Sequence, residues 1–260
     1  MQITQFQDDR RPVMVVSHER SGTHFTMNSV AGAFGYISMP WIDLDRHQIN
    51  INYFHPGRLE ETLQKLARAR PANIVKNHHE FTFFAELIDT VARDYHLIYV
   101  YRHPADVLIS YWRLLNTFSW VEGPRTATAL EFAAAAPMAR LLRYQYLQYP
   151  SMLDRWANHV SGWMAAAARN EAINLVRYED LAGDHAGTMT ALGARLGLAP
   201  GDLTAPSRTE NVVVGGSVPF DPPPEAANRP AVAKLALARH PELMARLGYD
   251  AAGLRAEAAA

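Results

Sequence analysis

The sequence contains no cysteine, which excludes disulfides and thiolate-ligated metal sites. It also lacks a strong charge of either sign, since 25 Lys and Arg against 26 Asp and Glu give a formal net charge of −1. No apolar run approaches the roughly 18 residues of a membrane span, and the opening residues MQITQFQDDRR are too polar for a signal peptide. We therefore expect a soluble, cytoplasmic protein without a membrane span and without a nucleic-acid partner.

The hydrophobic residues suffice for one sizeable hydrophobic core, because they make up 48% of the 260 residues. We expect a single α/β domain over residues 1–260, with an alanine-rich tail that frays from about residue 254. Short apolar runs alternate with helical patterns, which predicts a central parallel sheet flanked by helices. The predicted strands are residues 13–16, 73–76, 97–101 and 173–176.

Residues 13–36 predict a strand, a loop and a helix in that order. The loop reads SHERSGTH and combines hydroxyls and cations with one glycine, Gly22, which lets backbone approach a ligand closely. Unpaired amides at the start of the following helix attract anions, so the loop is a candidate phosphate or sulfate cradle. It differs from the nucleotide-triphosphate loop G-x-x-x-x-G-K-[ST], because Thr23 and His24 stand where the lysine and the hydroxyl belong.

Polar clusters also follow the other predicted strands. Ligands of parallel sheets bind beyond the carboxyl ends of the strands, so these clusters are expected to share one edge. The four clusters are residues 20–24, residues 76–79, Arg102 with the helix after it, and residues 177–180.

Several of these stretches resemble sulfotransferases that use 3′-phosphoadenosine-5′-phosphosulfate (PAPS). RSGT resembles the phosphosulfate-binding loop [K/R]-S-G-[T/S], and YRHPADVLISYW resembles the element that binds the 3′-phosphate, with Arg102 and Ser110 eight positions apart. LVRYEDL resembles the segment whose tyrosine, here Tyr178, contacts the adenine side. VKNHH resembles the family's Lys-Thr-His, with Lys76 and His78 matching. The resemblance spans most of the chain.

The C-terminal part departs from the family pattern. Where the family has Arg-Lys-Gly followed by Gly-Asp-Trp, this chain has SRTENVVVGGSVPF, in which Arg208, Gly215 and Gly216 are the candidates to close the donor site. The short C-terminal dimerisation motif of animal cytosolic members is absent, so the oligomeric state is left open.

The resemblance implies sulfuryl transfer from PAPS to a hydroxylated acceptor, or to an amine, without a metal. The residues that it implies for donor binding are Arg20, Ser21, Gly22, Thr23, His24, Phe25, Arg102, Ser110, Tyr178 and Arg208, and those for catalysis are Arg20, Lys76 and His78.

His78 is the predicted general base, and a neutral imidazole with an ordinary pKa near 6.5 suits that role. Lys76 and His78 are two positions apart, so in a continuing strand both side chains would point to one face and His79 to the other. Adjacent residues on opposite faces, and the absence of H-E-x-x-H, argue against a metal site at His78, His79 and Glu80.

Other interpretations stay open at this level. The loop alone also suits an ordinary helix start with a capping hydroxyl, and Glu179 and Asp180 suit the first turn of a helix better than an acid/base pair. The alternative functions are an atypical kinase and a nucleotide-binding module that does no chemistry. Aromatic residues that could line an acceptor pocket, or form core instead, are Trp41, Tyr53, Phe81, Phe84, Trp112 and Trp120.

Overall fold

A computed structural model describes residues 11–44, 56–69, 73–118, 122–208 and 220–249. Their centre is a five-stranded sheet in the order β2-β3-β1-β4-β5, with every neighbouring pair parallel. This confirms the predicted parallel α/β architecture. The strands are β1 (Val13–Ser17), β2 (Ile37–Asp43), β3 (Asn73–Asn77), β4 (His96–Tyr101) and β5 (Ile173–Arg177).

Helices cover both faces of this sheet. Within the described ranges, three short 3-10 helices connect longer elements, namely Phe81–Phe84, Ala139–Tyr144 and Pro224–Ala227. None of the described helices combines the length and the apolarity needed to span a bilayer. The described α-helices are α1 (Thr23–Phe34), α2 (Pro56–Ala69), α3 (Ile88–Asp94), α4 (Pro104–Thr117), α5 (Ala129–Ala134), α6 (Met152–Ala167), α7 (Tyr178–Gly183), α8 (His185–Leu196), α9 (Arg229–Arg239) and α10 (Pro241–Arg246).

The central strand β1 is buried along its whole length, as its apolar sequence predicts. Val13 and Val15 pack on the face covered by α1 and α8, whereas Met14 and Val16 pack on the face covered by α2, α3 and α6. Its neighbours β3 and β4 lie on either side, and its end at Ser17 is level with Val100 of β4. The loop after β1 therefore opens at the centre of the carboxyl edge, where ligands bind in such sheets.

The edge strand β2 was not predicted from the sequence. It contains Pro40, which cannot donate to a ladder, and its pairing with β3 shifts register between Ile37 and Ile42. An edge position tolerates both irregularities because only one side of the strand is paired. This strand matters for the site, since it carries Trp41 and Asp43.

Two predicted helices are wrong in extent. The pattern of residues 81–91 predicts one helix, but the chain forms the 3-10 helix Phe81–Phe84 and then α3. The predicted final helix, residues 231–247, is two helices that meet at Pro241, because proline lacks an amide hydrogen and disfavours helical geometry in the preceding residue. Gly215, Gly216 and the tail from about residue 254 lie outside the described residues.

Candidate active site

The loop between β1 and α1 presents the start of a helix that no side chain caps. Gly22 is the N-cap residue, adopts φ +95°, and makes no side-chain cap hydrogen bond. The ring of Tyr178 lies so close that a Cβ at Gly22 would sit 2.2 Å from one ring carbon. Ser21 Oγ and His24 Nδ1 are buried without a hydrogen-bond partner in the described part of the chain. An anion at the helix start would suit both the amides and these two atoms.

Arg20 has an unusual backbone conformation, with φ +68° in the left-handed region. Its Nε donates to Ser110 Oγ on α4 at 3.0 Å, and Arg102 Nη1 lies 3.5 Å from its carbonyl oxygen. Burial lowers the pKa of the Arg20 guanidinium, and the charge of Arg102 lowers it further, although Tyr111 acts in the opposite direction. The fold thus brings the predicted residues Arg20, Arg102 and Ser110 into one cluster.

Arg102 follows β4 and stacks on Tyr178, with its guanidinium carbon 4.3 Å from the ring centroid. Neither Arg102 nor Arg20 has an ion-pairing carboxylate among the described residues. Phe25 meets Tyr178 edge to face at 6.0 Å between centroids. The two rings touch, so an adenine would lie against the pair and not between its members.

Lys76 lies at the end of β3, facing the edge strand. Its Nζ is 3.0 Å from Asp43 Oδ2 and 5.9 Å from the centroid of Trp41. Trp41 also contacts the ring of His24 edge to face at 4.6 Å. Burial lowers the pKa of His24 to about 4, and the charges of Lys76 and Arg20 contribute, so His24 is neutral near pH 7. The predicted loop histidine and the predicted lysine therefore both contact Trp41.

His78 follows β3 and is fixed by a single hydrogen bond. Its Nδ1 is 2.9 Å from the carbonyl oxygen of Ser17. A carbonyl only accepts, so Nδ1 carries the proton and Nε2 is left as the basic nitrogen. The backbone of His78 is held as well, because His159 Nε2 donates to its carbonyl oxygen at 3.2 Å.

The pKa of His78 differs from the ordinary value expected from the sequence. Burial lowers it to about 3, and the charge of Lys76 contributes. The imidazole is therefore neutral across the physiological range. Anionic charge near Lys76 would raise this pKa, since it would offset the charge that helps to depress it.

His79 is turned into the protein. Its Nδ1 is 2.6 Å from Asn77 Oδ1, and its ring packs edge to face on Phe83 and Tyr144. The ring of His78 also contacts Tyr144, at 5.6 Å. Both histidines thus meet the segment of residues 138–149, which we name the cover segment. Within the described residues, no group of three or more His, Asp or Glu side chains is placed to hold a metal ion.

Glu80 anchors the cover segment, a role that the sequence did not reveal. Its buried carboxylate accepts hydrogen bonds from the Tyr146 amide at 2.5 Å, from Tyr149 Oη at 2.6 Å and from Asn158 Nδ2 at 3.2 Å. The Glu80 amide in turn donates to the Tyr144 carbonyl at 3.0 Å. Glu80 is therefore one of the groups that hold the cover segment beside His78, together with Arg155, which donates to Gln145 at 3.1 Å.

The buried ion pair of Glu19 and Arg155 was also missed. The two residues are 136 positions apart, and Arg155 donates from Nη1 and Nη2 to both carboxylate oxygens, at 3.0 and 2.8 Å. Burial would raise the pKa of Glu19, but the charges of Arg155 and His18 and the hydrogen bonds from Arg155 together outweigh it and hold the pKa far below its usual range. A signal existed, because Arg155 occupies the apolar stripe of α6 beside Trp156, where a cation needs a partner.

Other candidates lie away from this centre. Arg208 is exposed and its Nη2 donates to the Ala182 carbonyl of α7 at 3.4 Å. Phe84 and Trp112 are fully buried core residues, so they cannot line an acceptor pocket, and Phe81 packs on Trp163. Tyr53 and Trp120 lie outside the described residues.

Glu179 stands in the first turn of α7 as expected, and it also accepts hydrogen bonds from the His103 amide and from Tyr249 Oη.

Comparison with known proteins gives the family. Similar solved structures include mouse sulfotransferase SULT7A1 complexed with PAP, at 20% identity over 75% of this chain and 61% of that chain, with a TM-score of 0.48. A second is retinol dehydratase in complex with retinol and PAP, at 20% identity over 77% of this chain and 62% of that chain, with a TM-score of 0.47. A third is the sulfotransferase domain of the Synechococcus PCC 7002 olefin synthase, at 15% identity over 89% of this chain and 96% of that chain, with a TM-score of 0.49.

The chain spans less than two thirds of the length of the first two proteins. No curated protein matches the sequence. The family described as sulfotransferase domain, however, matches residues 10–207, which is more than half of the chain. The chain therefore belongs to the sulfotransferase family.

Proposed function

We propose that this chain transfers the sulfuryl group of PAPS to the hydroxyl, or the amine, of an acceptor. The observation that carries the proposal is the cluster of Arg20 and Arg102. The partly buried Arg102 guanidinium contacts the Arg20 carbonyl, and neither arginine has a carboxylate partner among the described residues, next to a helix start without a side-chain cap. Such an arrangement is costly unless an anion completes it.

The charges and donors of this cluster suit a ligand with two separate phosphate groups. Arg102 and Ser110 would bind the 3′-phosphate, since Arg102 offers a planar fork of donors and Ser110 a hydroxyl. The α1 amides, Ser21, Thr23, His24 and Arg20 would bind the 5′-phosphosulfate. Phe25 and Tyr178 would contact the adenine, and Arg208 would close the site from the C-terminal side.

Two residues of β3 and its loop supply the remaining chemistry. In the proposed reaction the bond between sulfur and the bridging oxygen of the 5′-phosphate breaks, and a bond between sulfur and the acceptor oxygen forms. His78 Nε2 takes the acceptor proton as its oxygen attacks. Lys76 and Arg20 stabilise the charge that develops on the leaving phosphate, by analogy with phosphoryl transfer. The products are a sulfate ester and adenosine 3′,5′-bisphosphate.

Transfer of label from ³⁵S-PAPS to a panel of alcohols, phenols and amines tests the proposal. We expect turnover that survives EDTA, because Arg20 and Lys76 replace the cation that a kinase takes from magnesium. Strict magnesium dependence with preference for ATP would establish a kinase. Binding of adenosine 3′,5′-bisphosphate without turnover of any acceptor would instead indicate a nucleotide-binding module without chemistry.

A further inference from the structure

The left-handed conformation of Arg20 requires support from its surroundings. A residue with a Cβ rarely adopts φ +68°, and such strain persists only where neighbouring contacts over-determine it. Glycine would hold this conformation at little cost, but glycine has no guanidinium to offer. The question is what fixes the backbone on both sides of Arg20.

The two residues that precede Arg20, His18 and Glu19, are held by one buried side chain, Arg155 of α6. Arg155 donates hydrogen bonds to both carboxylate oxygens of Glu19, and its Nη1 also donates to His18 Nε2 at 2.8 Å. His18 Nδ1 donates to the Glu19 carbonyl at 2.9 Å, so the acceptor role of Nε2 is settled. Arg155 is itself buried and fixed by Gln145 Oε1 at 3.1 Å.

Two further contacts complete the arrangement. Tyr111 Oη of α4 donates to Glu19 Oε1 at 2.9 Å, and the Ser21 amide donates to the His18 carbonyl at 3.2 Å. His18 and Glu19 are therefore held against α4 and α6, and the Ser21 amide ties the chain after Arg20 back to His18. From this backbone the Arg20 side chain reaches Ser110, to which its Nε donates at 3.0 Å.

We propose that Arg155, acting through Glu19 and His18, is a positioning residue that holds Arg20 in the conformation needed to bind the 5′-phosphate end of the donor. This inference rests on the proposed function. Without the ion pair, Arg20 would relax to negative φ and its guanidinium would leave its place beside Ser110. Arg102 would lose its long contact with the Arg20 carbonyl but keep its stacking on the Tyr178 ring. The effect should therefore fall on one end of the ligand only.

The experiment compares two ligands that differ only at that end. Calorimetry gives the dissociation constants of adenosine 3′-monophosphate and adenosine 3′,5′-bisphosphate, and their ratio reports what the 5′-phosphate contributes. The test variant is Glu19→Gln with Arg155→Met, which removes both charges together and so avoids a lone buried charge. We expect the ratio to fall by about tenfold or more, with 3′-monophosphate affinity within about threefold of wild type.

The matched control is Asp154→Asn with Arg239→Met. Asp154 precedes Arg155 on α6, and its Oδ2 pairs with Arg239 Nη1 of α9 at 3.1 Å, away from the loop. This variant should lower the melting temperature without changing the ratio. Should the test pair not fold, Arg155→Lys replaces it, because a single ammonium cannot span both Glu19 oxygens. For Arg155→Lys we expect the ratio to fall about three- to tenfold.

The outcomes separate the two proposals. A wild-type protein that binds both ligands equally would overturn the proposed function, because the loop would then not bind the 5′-phosphate. A wild-type preference that persists within about twofold in the test variant overturns only the positioning role of Arg155. A selective fall in the ratio, absent from the control, establishes that role.

Discussion

The loop at residues 17–24 and the cover segment border the same histidine but are built in different ways. The loop is buried, follows the central strand and is fixed by the network of Glu19, Arg155 and Tyr111. The cover segment exposes large apolar side chains, including Leu147 at 58%, and is held by Glu80 at Tyr146 and Tyr149 and by Arg155 at Gln145. In the proposed reaction the rigid side suits the nucleotide donor, and the exposed apolar side suits contact with an acceptor.

The largest expected effect lies where the two regions meet. His78→Ala should lower kcat by about 100- to 10,000-fold with donor affinity nearly unchanged, because the general base is lost while the donor contacts remain. The measurement is turnover at saturating PAPS and acceptor. His79→Gln is the matched control, and we expect it to keep activity within about tenfold while lowering the melting temperature, since His79 packs on Phe83 and Tyr144. Turnover of His78→Ala within about threefold of wild type would remove His78 from the base role.

A donor-side change should spare the acceptor side. Arg102→Ala removes a charge-assisted contact, and we expect the affinity for adenosine 3′,5′-bisphosphate in calorimetry to fall by on the order of 2 to 4 kcal/mol, or about 30- to 1,000-fold. Arg177→Ala is the control, because Arg177 also ends a strand but pairs with Glu179 and Asp180. It should bind within about threefold of wild type. Equal losses in both variants would show that the effect comes from general cationic charge at the sheet edge.

A cover-segment change should show the reverse pattern. Glu80→Gln places an amide donor where three donors converge, so the segment should loosen, and acceptor KM should rise about tenfold with donor affinity unchanged. Steady-state kinetics in acceptor, with calorimetry for the donor product, gives both quantities. Glu131→Gln is the control, since Glu131 only completes the capping box of α5. An unchanged acceptor KM in Glu80→Gln would mean that the acceptor does not use the cover segment.

The same contrast explains what the sequence could predict. Apolar runs such as residues 13–16 predict strands from local pattern alone, and Arg20, Lys76 and Arg102 stand next to such runs, so their shared edge follows from topology. The edge strand β2 was not predicted, because Pro40 and the register shift interrupt the regular strand pattern. Glu19 with Arg155, and Glu80 with the cover segment, depend on contacts between residues far apart in the chain, which no local period encodes.

The smallest expected effect concerns pH, and it tests whether the buried surroundings of His78 keep its pKa low in the working enzyme. A base works when deprotonated, and the pKa of His78 is lowered to about 3, so activity should be lost only as the pH falls toward that value. We therefore expect kcat at saturating substrates to change less than about twofold between pH 8 and 6, whereas an ordinary histidine would lower it about fourfold at pH 6. Histidine proton shifts in the free protein should place the His78 titration below pH 5.5.

The free energy of unfolding, unlike kcat, should change over this pH range, so it must be measured as a control. The buried His18, His78 and His79 all have lowered pKa values, so the unfolded state takes up protons first, and stability should fall as the pH drops from about 6.5. Each contributes up to roughly 1.4 kcal/mol per pH unit in that window. Melting temperatures at every pH will therefore separate unfolding from titration of the base. A fourfold loss of kcat at pH 6 in protein that is still folded would show that His78 titrates normally in the working complex, because bound anionic donor has restored its pKa.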